Sequence, residues 1–143
     1  MRASTRPLLA SAALLLATMT AACGGSLAPD LTADAPIVTA TAEVALIGGS
    51  MEVAIANRSA STWRYNPCAN AVVERREADA WVRVPDPLIL CAPTQRTLPA
   101  GADQTVTVGI PAGNPAGTYR IRVTFRRSDG VEATAATGGF TAG

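Results

Sequence analysis

Between Gly117 and Arg127 the chain reads Gly-Thr-Tyr-Arg-Ile-Arg-Val-Thr-Phe-Arg-Arg, with an apolar residue at every second position. An extended chain puts Tyr119, Ile121, Val123 and Phe125 on one side and Arg120, Arg122, Thr124 and Arg126 on the other. A period of two does not fit the 3.6-residue period of a helical stripe. The segment is therefore read as a half-buried strand. Such a strand needs neighbours in a sheet and a second layer to cover its apolar side.

The same period recurs along most of the chain. Val38, Ala40, Ala42, Val44 and Leu46 alternate before Gly48-Gly49, and Met51, Val53 and Ile55 mark a second strand that ends at the polar turn Asn57-Arg58-Ser59. A third strand covers Thr62 to Tyr65 and stops at Asn66-Pro67. Two extended runs flank Glu77-Ala78-Asp79-Ala80 as a hairpin, and Leu88-Ile89-Leu90 is a brief apolar run. A turn at Pro99-Ala100-Gly101 precedes alternation on Val106, Val108 and Ile110, and a last strand falls between Val131 and Phe140. Seven or eight short strands with regular turn signals predict an all-β fold, an antiparallel β-sandwich over residues 37–143.

The N-terminus reads differently. Arg2 and Arg6 precede the apolar stretch Leu8–Met19, which is too short to span a ~30 Å hydrocarbon core as a helix. A basic start, a short apolar middle and small residues before a break make residues 1–22 a secretory signal peptide. Thr20-Ala21-Ala22-Cys23 resembles the lipobox of bacterial lipoproteins, in which the cysteine is lipidated and becomes the mature N-terminus. That resemblance implies a diacyl or triacyl (palmitate-type) anchor on Cys23. It places the domain outside the cytoplasm, on the outer membrane if the host has two, since Gly24 stands where inner-membrane proteins often carry aspartate. The family usually has leucine where Thr20 stands, and the same residues also fit ordinary signal cleavage. Residues 23–36, with two prolines and two aspartates after Gly24-Gly25-Ser26, are read as a tether spanning roughly 20 Å as a flexible coil.

Composition narrows the chemistry. The 143 residues contain no histidine, which removes the commonest general base and the commonest zinc ligand. No metal or cofactor is expected. Every basic residue is arginine, and without Arg2 and Arg6 the mature chain has ten basic against eleven acidic residues. That balance gives no case for nucleic acid. Cys68 and Cys91, in one small exported domain, are expected to form a disulfide, because they lack the Cys-x-x-Cys spacing of a redox pair.

Several stretches resemble the immunoglobulin-like domains of bacterial lipoproteins: "IANRSASTWRYNPC", "VVERREADAWVRVP", "TLPAGADQTVTV", "PAGTYRIRVTF" and the closing "GGFTA". The bacillar intracellular proteinase-inhibitor domain has a similar layout. The resemblance implies fold far more than activity. With no catalytic constellation visible in the sequence, the domain is read as a binding or structural module rather than an enzyme, meeting an envelope protein, a polysaccharide or a companion subunit. The alternative is an inhibitor acting through "PDPLILCAPTQ". An enzyme would need Glu74, Asp86 and Asp103 in one cleft. Tyr119 is read as a tyrosine corner and Trp81 as a core plug. Trp63 and Tyr65, beside a turn, are the first candidates for partner contact, with core packing as the other reading. The arginines on the strands form a basic sheet face that meets either solvent or an anionic envelope component.

Overall fold

The computed structural model describes residues 34–85 and 90–143, all strand, turn or extended chain. The expected signal peptide, Cys23 and most of the expected tether lie outside these residues, as do residues 86–89 of the loop named as the alternative inhibitory segment. Eleven strands follow one another: β1 Ile37–Ala40, β2 Val44–Ala45, β3 Ser50–Ala56, β4 Trp63–Tyr65, β5 Ala71–Glu77, β6 Ala80–Arg83, β7 Arg96–Leu98, β8 Asp103–Gly109, β9 Gly117–Arg126, β10 Glu132–Ala136 and β11 Phe140–Ala142.

They pair into two sheets. The smaller has the order β1-β3-β8, all antiparallel. The larger is built around β9, which pairs with β10 and β11 along one edge and with β5 and β4 along the other. β6 continues outward from β5, β7 from β4, and β2 pairs in parallel with β11. β4 and β5 act as one interrupted strand, with partners Arg126 and then Val123 to Tyr119 on β9. Two facing sheets of this connectivity make an immunoglobulin-like β-sandwich.

Strand number exceeds the seven or eight expected because two extended runs are broken and Arg96–Leu98 forms a strand, β7, that no alternation marks. The Ile37–Leu46 alternation bends at Thr41–Glu43, and the chain passes from the small sheet to the large one. The phase then shifts. Val38 stays buried and Ala45 becomes buried, while Val44 and Leu46, expected inward, are 69% and 71% exposed. Near the C-terminus, Thr137 still pairs with Ile121 through N–H to O at 2.9 Å, but Phe140 stands opposite Tyr119. One extra residue is accommodated there as a bulge. The expected stop between β4 and β5, Asn66–Asn70, is organised by Asn66, whose Oδ1 accepts from the N–H groups of Cys68 and Ala69 and whose Nδ2 donates to Ala92 O.

The inner faces meet in one core. Met51, Val53 and Ile55 from β3 and Val106 and Val108 from β8 face Ile121, Val123 and Phe125 of β9, with Trp63, Tyr65 and Leu98 closing one end. Tyr65 and Phe125 pack tilted, with ring centroids 5.3 Å apart. Pro36, the last residue of the expected tether, is itself fully buried. The disulfide joins Cys68 to Cys91 with Cα atoms 5.6 Å apart, closing the loop between β6 and β7 against the β4–β5 break.

Candidate functional site

Cross-strand partners share a face. With Tyr119, Ile121, Val123 and Phe125 inward, the register sets what the large sheet shows to solvent. Glu74 stands between Arg83 and Arg120, Arg76 opposite Trp81, Val72 opposite Arg122, and Arg126 between Arg64 and Glu132. Six arginines (64, 76, 83, 120, 122 and 126) therefore share this face with two glutamates, Glu74 and Glu132. Elsewhere among the described residues, Arg58, Arg75, Arg96 and Arg127 are outnumbered by Asp34, Glu43, Glu52, Glu77, Asp79, Asp103 and Asp129. Positive charge is gathered on one side of a molecule whose overall balance is near zero.

The centre of the face is ordered by Glu74. Its carboxylate accepts from Arg120 Nε and Arg122 Nε, each at 2.7 Å, and its side chain is only 7% exposed. Two guanidiniums on one carboxylate leave one positive charge in excess. The Trp81 indole lies over this group, 4.6 Å from the Arg120 guanidinium and 5.4 Å from that of Arg76. Such contacts hold planar cations against an aromatic ring. Arg126 pairs with Glu132 towards the other end of the face. Arg64 and Arg83 are exposed and have no carboxylate within ion-pair distance among the described residues.

The residues singled out in the sequence fall into place as follows. Trp63 and Tyr65 are 0% and 1% exposed, so they form no contact patch. They are core residues because β4 alternates with Trp63 and Tyr65 inward and Arg64 outward. Trp63 Nε1 donates to Ser59 Oγ at 3.1 Å, and Tyr65 Oη donates to Gln104 Oε1 of the facing sheet at 2.8 Å. Burial pushes the Tyr65 phenol up, and neighbouring Arg96 opposes the shift. Trp81, expected inside, instead lies half-buried on the outer face. Tyr119 is a tyrosine corner, its hydroxyl donating to Pro115 O four residues upstream.

Of the three carboxylates that an enzyme would need in one cleft, Glu74 is taken up by Arg120 and Arg122. Asp103 instead pairs with exposed Arg58 at the start of β8, on the other sheet, and Asp86 lies outside the described residues. At the β9–β10 turn, Arg127 covers the Trp63 ring and pairs with Asp129. The Arg127 hydrogen bond, with help from the Val131 N–H, holds the Asp129 carboxyl below the usual carboxylate range. Among the described residues no three histidine, cysteine, aspartate or glutamate side chains cluster as a metal site.

No protein-family model matches the chain, and no curated protein matches it. Among solved structures, an ApaA protein from Bordetella pertussis is similar at 18% identity, covering 64% of this chain and 72% of that one with a TM-score of 0.44. A ceramidase complexed with C2 is similar at 15% identity over 78% of this chain, which spans a fifth (20%) of that enzyme's chain, with a TM-score of 0.43. The ASH/PapD-like domain 7 of human CEP192 is 12% identical over 92% of this chain and 96% of that one, with a TM-score of 0.36.

Proposed function

We propose that this chain is a lipid-anchored, non-catalytic binding module of the bacterial cell envelope. In this reading Cys23 carries the lipid and becomes the mature N-terminus, and the following dozen residues tether the sandwich to the membrane. Two or three acyl chains on one residue suffice for stable anchoring, whereas one is marginal. The face of the large sheet then meets an anionic envelope polysaccharide or an acidic protein surface.

The observation that carries the reading is the one-sided distribution of arginine, six on that face against Glu74, Glu132 and, at its rim, Asp79, which lies 3.7 Å from Arg76. Guanidinium groups suit carboxylates and phosphates because their planar forks donate two hydrogen bonds at once. Arg64 and Arg83 are the residues with charge to spare. The absence of histidine from the sequence supports binding over catalysis.

Two measurements test the proposal. Mass spectrometry of the mature protein is expected to find lipid on Cys23, and an unmodified cysteine or a different start overturns the anchor. Co-sedimentation with an anionic polysaccharide such as alginate is expected to weaken with salt and in an Arg64→Ala/Arg83→Ala variant. Salt-independent binding, or none, overturns the basic face as the binding surface.

A further inference from the structure

The small sheet ends on an open edge. β8 is seven residues long and, among the described residues, pairs only with β3. Every other strand with a single neighbour is shorter, from two residues in β2 to five in β10. Asn57 N donates to Ala102 O and Ile110 N to Gly49 O, both at 2.9 Å, at the two ends of this pairing. With the register running from Ser50↔Gly109 to Ala56↔Asp103, the even-numbered residues of β8 bond to β3. The N–H and C=O groups of Asp103, Thr105, Thr107 and Gly109 therefore point away from the sheet.

Natural edges are usually blunted by proline, lysine, a bulge or brevity. The β8 edge carries none of these. Its only charge is Asp103 at the first position, already paired with Arg58. Beside the edge, between the two sheets, lies a cavity of about 230 Å³. Thr107, Val108 and Gly109 line it from β8, Ala71, Val73 and Arg83 line it from the large sheet, and Val84 lines it just beyond β6. A strand added to β8 would alternate its side chains, and every second one would point into this cavity.

We propose that the β8 edge is an acceptor for an extended peptide segment of a partner protein, with an apolar side chain at alternate positions. The backbone of β8 supplies the hydrogen bonds and the cavity selects the side chain. A second copy of this chain fits less well. If β8 paired with its own counterpart, the residues in the inward phase would be Val106 and Val108, already committed to their own core at 4% and 7% exposure. The cavity would stay empty. A peptide without a fold of its own has free side chains to fill it. This inference does not depend on the lipid anchor, and of the basic face only Arg83 lines the cavity.

The test uses the mature protein and a library of synthetic peptides as long as β8, with threonine alternating with each of Val, Ile, Leu, Met and Phe. In the free protein, amide exchange is expected to be fast at Thr105, Thr107 and Gly109 and slow at Gln104, Val106 and Val108. Peptides that bind should slow the first set and shift their NMR signals. N-methylation of the peptide's edge-facing amides should abolish binding. Thr107→Pro removes a donor that faces solvent, so the strand should still fold, because proline is tolerated at such edge positions. It is expected to weaken the peptide about tenfold, the net worth of roughly one hydrogen bond. High salt and Arg64→Ala should leave peptide binding unchanged. The proposal is overturned if the free-edge amides are already protected, if the whole library fails to bind, if Thr107→Pro binds as well as the parent, or if protection appears only with concentration-dependent dimerisation.

Discussion

Replacing Glu74 by glutamine changes little in shape and removes one charge from the centre of the arginine face. The carboxylate accepts two hydrogen bonds from guanidinium Nε atoms at 2.7 Å. Glutamine keeps one acceptor and turns an amide N–H₂ towards the other arginine. One charge-assisted bond, worth about 1.5–3 kcal/mol, is lost outright. Two guanidiniums then remain side by side without a counter-ion. Breaking a buried ion pair by removing one partner costs about 3–5 kcal/mol, and partial exposure reduces that figure. Arg120 is 11% exposed but Arg122 is 29% exposed, so water relieves one side of the defect. The expected loss is about 3 kcal/mol, a large share of the roughly 5–15 kcal/mol that holds a domain together.

Urea unfolding followed by tryptophan fluorescence reads this loss directly. With a slope of about 1.5 kcal/mol per molar, the midpoint should fall by about 2 M while the slope stays constant. A double-mutant cycle of Glu74→Gln with Arg120→Met should give a coupling of about 1–2 kcal/mol, because the two groups are in contact. A loss below about 0.5 kcal/mol, the range of ordinary surface substitutions, would refute the reasoning. So would a coupling near zero. Glu74 would then be a solvated hairpin charge, with the arginines held by Trp81 alone.

Two further outcomes follow from buried polar groups. Asn57 is fully buried, and its Nδ2 donates to the carbonyls of Ser61, Leu98 and Pro99 at 2.7, 3.1 and 2.8 Å. Asn57→Asp, an isosteric change from donor to acceptor, should cost at least as much as Asn57→Ala, about 2–4 kcal/mol in each case, measured by urea midpoint. The second outcome concerns high pH. The folded-state pKa of Tyr65 is raised from 10.0 by burial. Its contribution is thus fully present below about pH 10 and is lost as pH rises through the raised folded value. The chain has no lysine and both domain cysteines are bridged, so tyrosine ionisation dominates the domain's alkaline unfolding. Tyr65→Phe should lose about 1 kcal/mol at neutral pH, the net worth of the bond to Gln104, and should flatten the decline above pH 10. An unchanged alkaline limb would count against it.

How much could be read in advance depended on phase. Where alternation was strict, as from Tyr119 to Phe125, sequence and structure agree residue by residue, including the tyrosine corner. Where it was loose, the strand could be placed but its face could not. The run from Ile37 to Leu46 kept a plausible period of two, yet the sheet-switching bend at Thr41–Glu43 reversed what followed and left Val44 and Leu46 in solvent. A one-residue slip exchanges every inside position for an outside one.

The two tryptophans show the same limit at the site itself. Trp63-Arg64-Tyr65 alternates, and the phase of β4 puts both rings inside rather than in solvent beside the turn. Ala80-Trp81-Val82-Arg83 does not alternate by polarity, so its phase comes only from pairing with β5, where Trp81 stands opposite Arg76. The arginine cluster is a product of that register. Glu74 lies 46 and 48 residues from Arg120 and Arg122 in sequence and beside them in the sheet. No local signal joins them. The same applies to the open edge of β8. Its sequence, Asp-Gln-Thr-Val-Thr-Val-Gly, is compatible with a central or a terminal strand. Its status as an acceptor depends on which strands the topology places beside it. An exposed edge in a sandwich of this kind is set by pairing rather than by motif. Exchange rates at Thr105, Thr107 and Gly109 are therefore a more direct report on it than any further comparison of sequence.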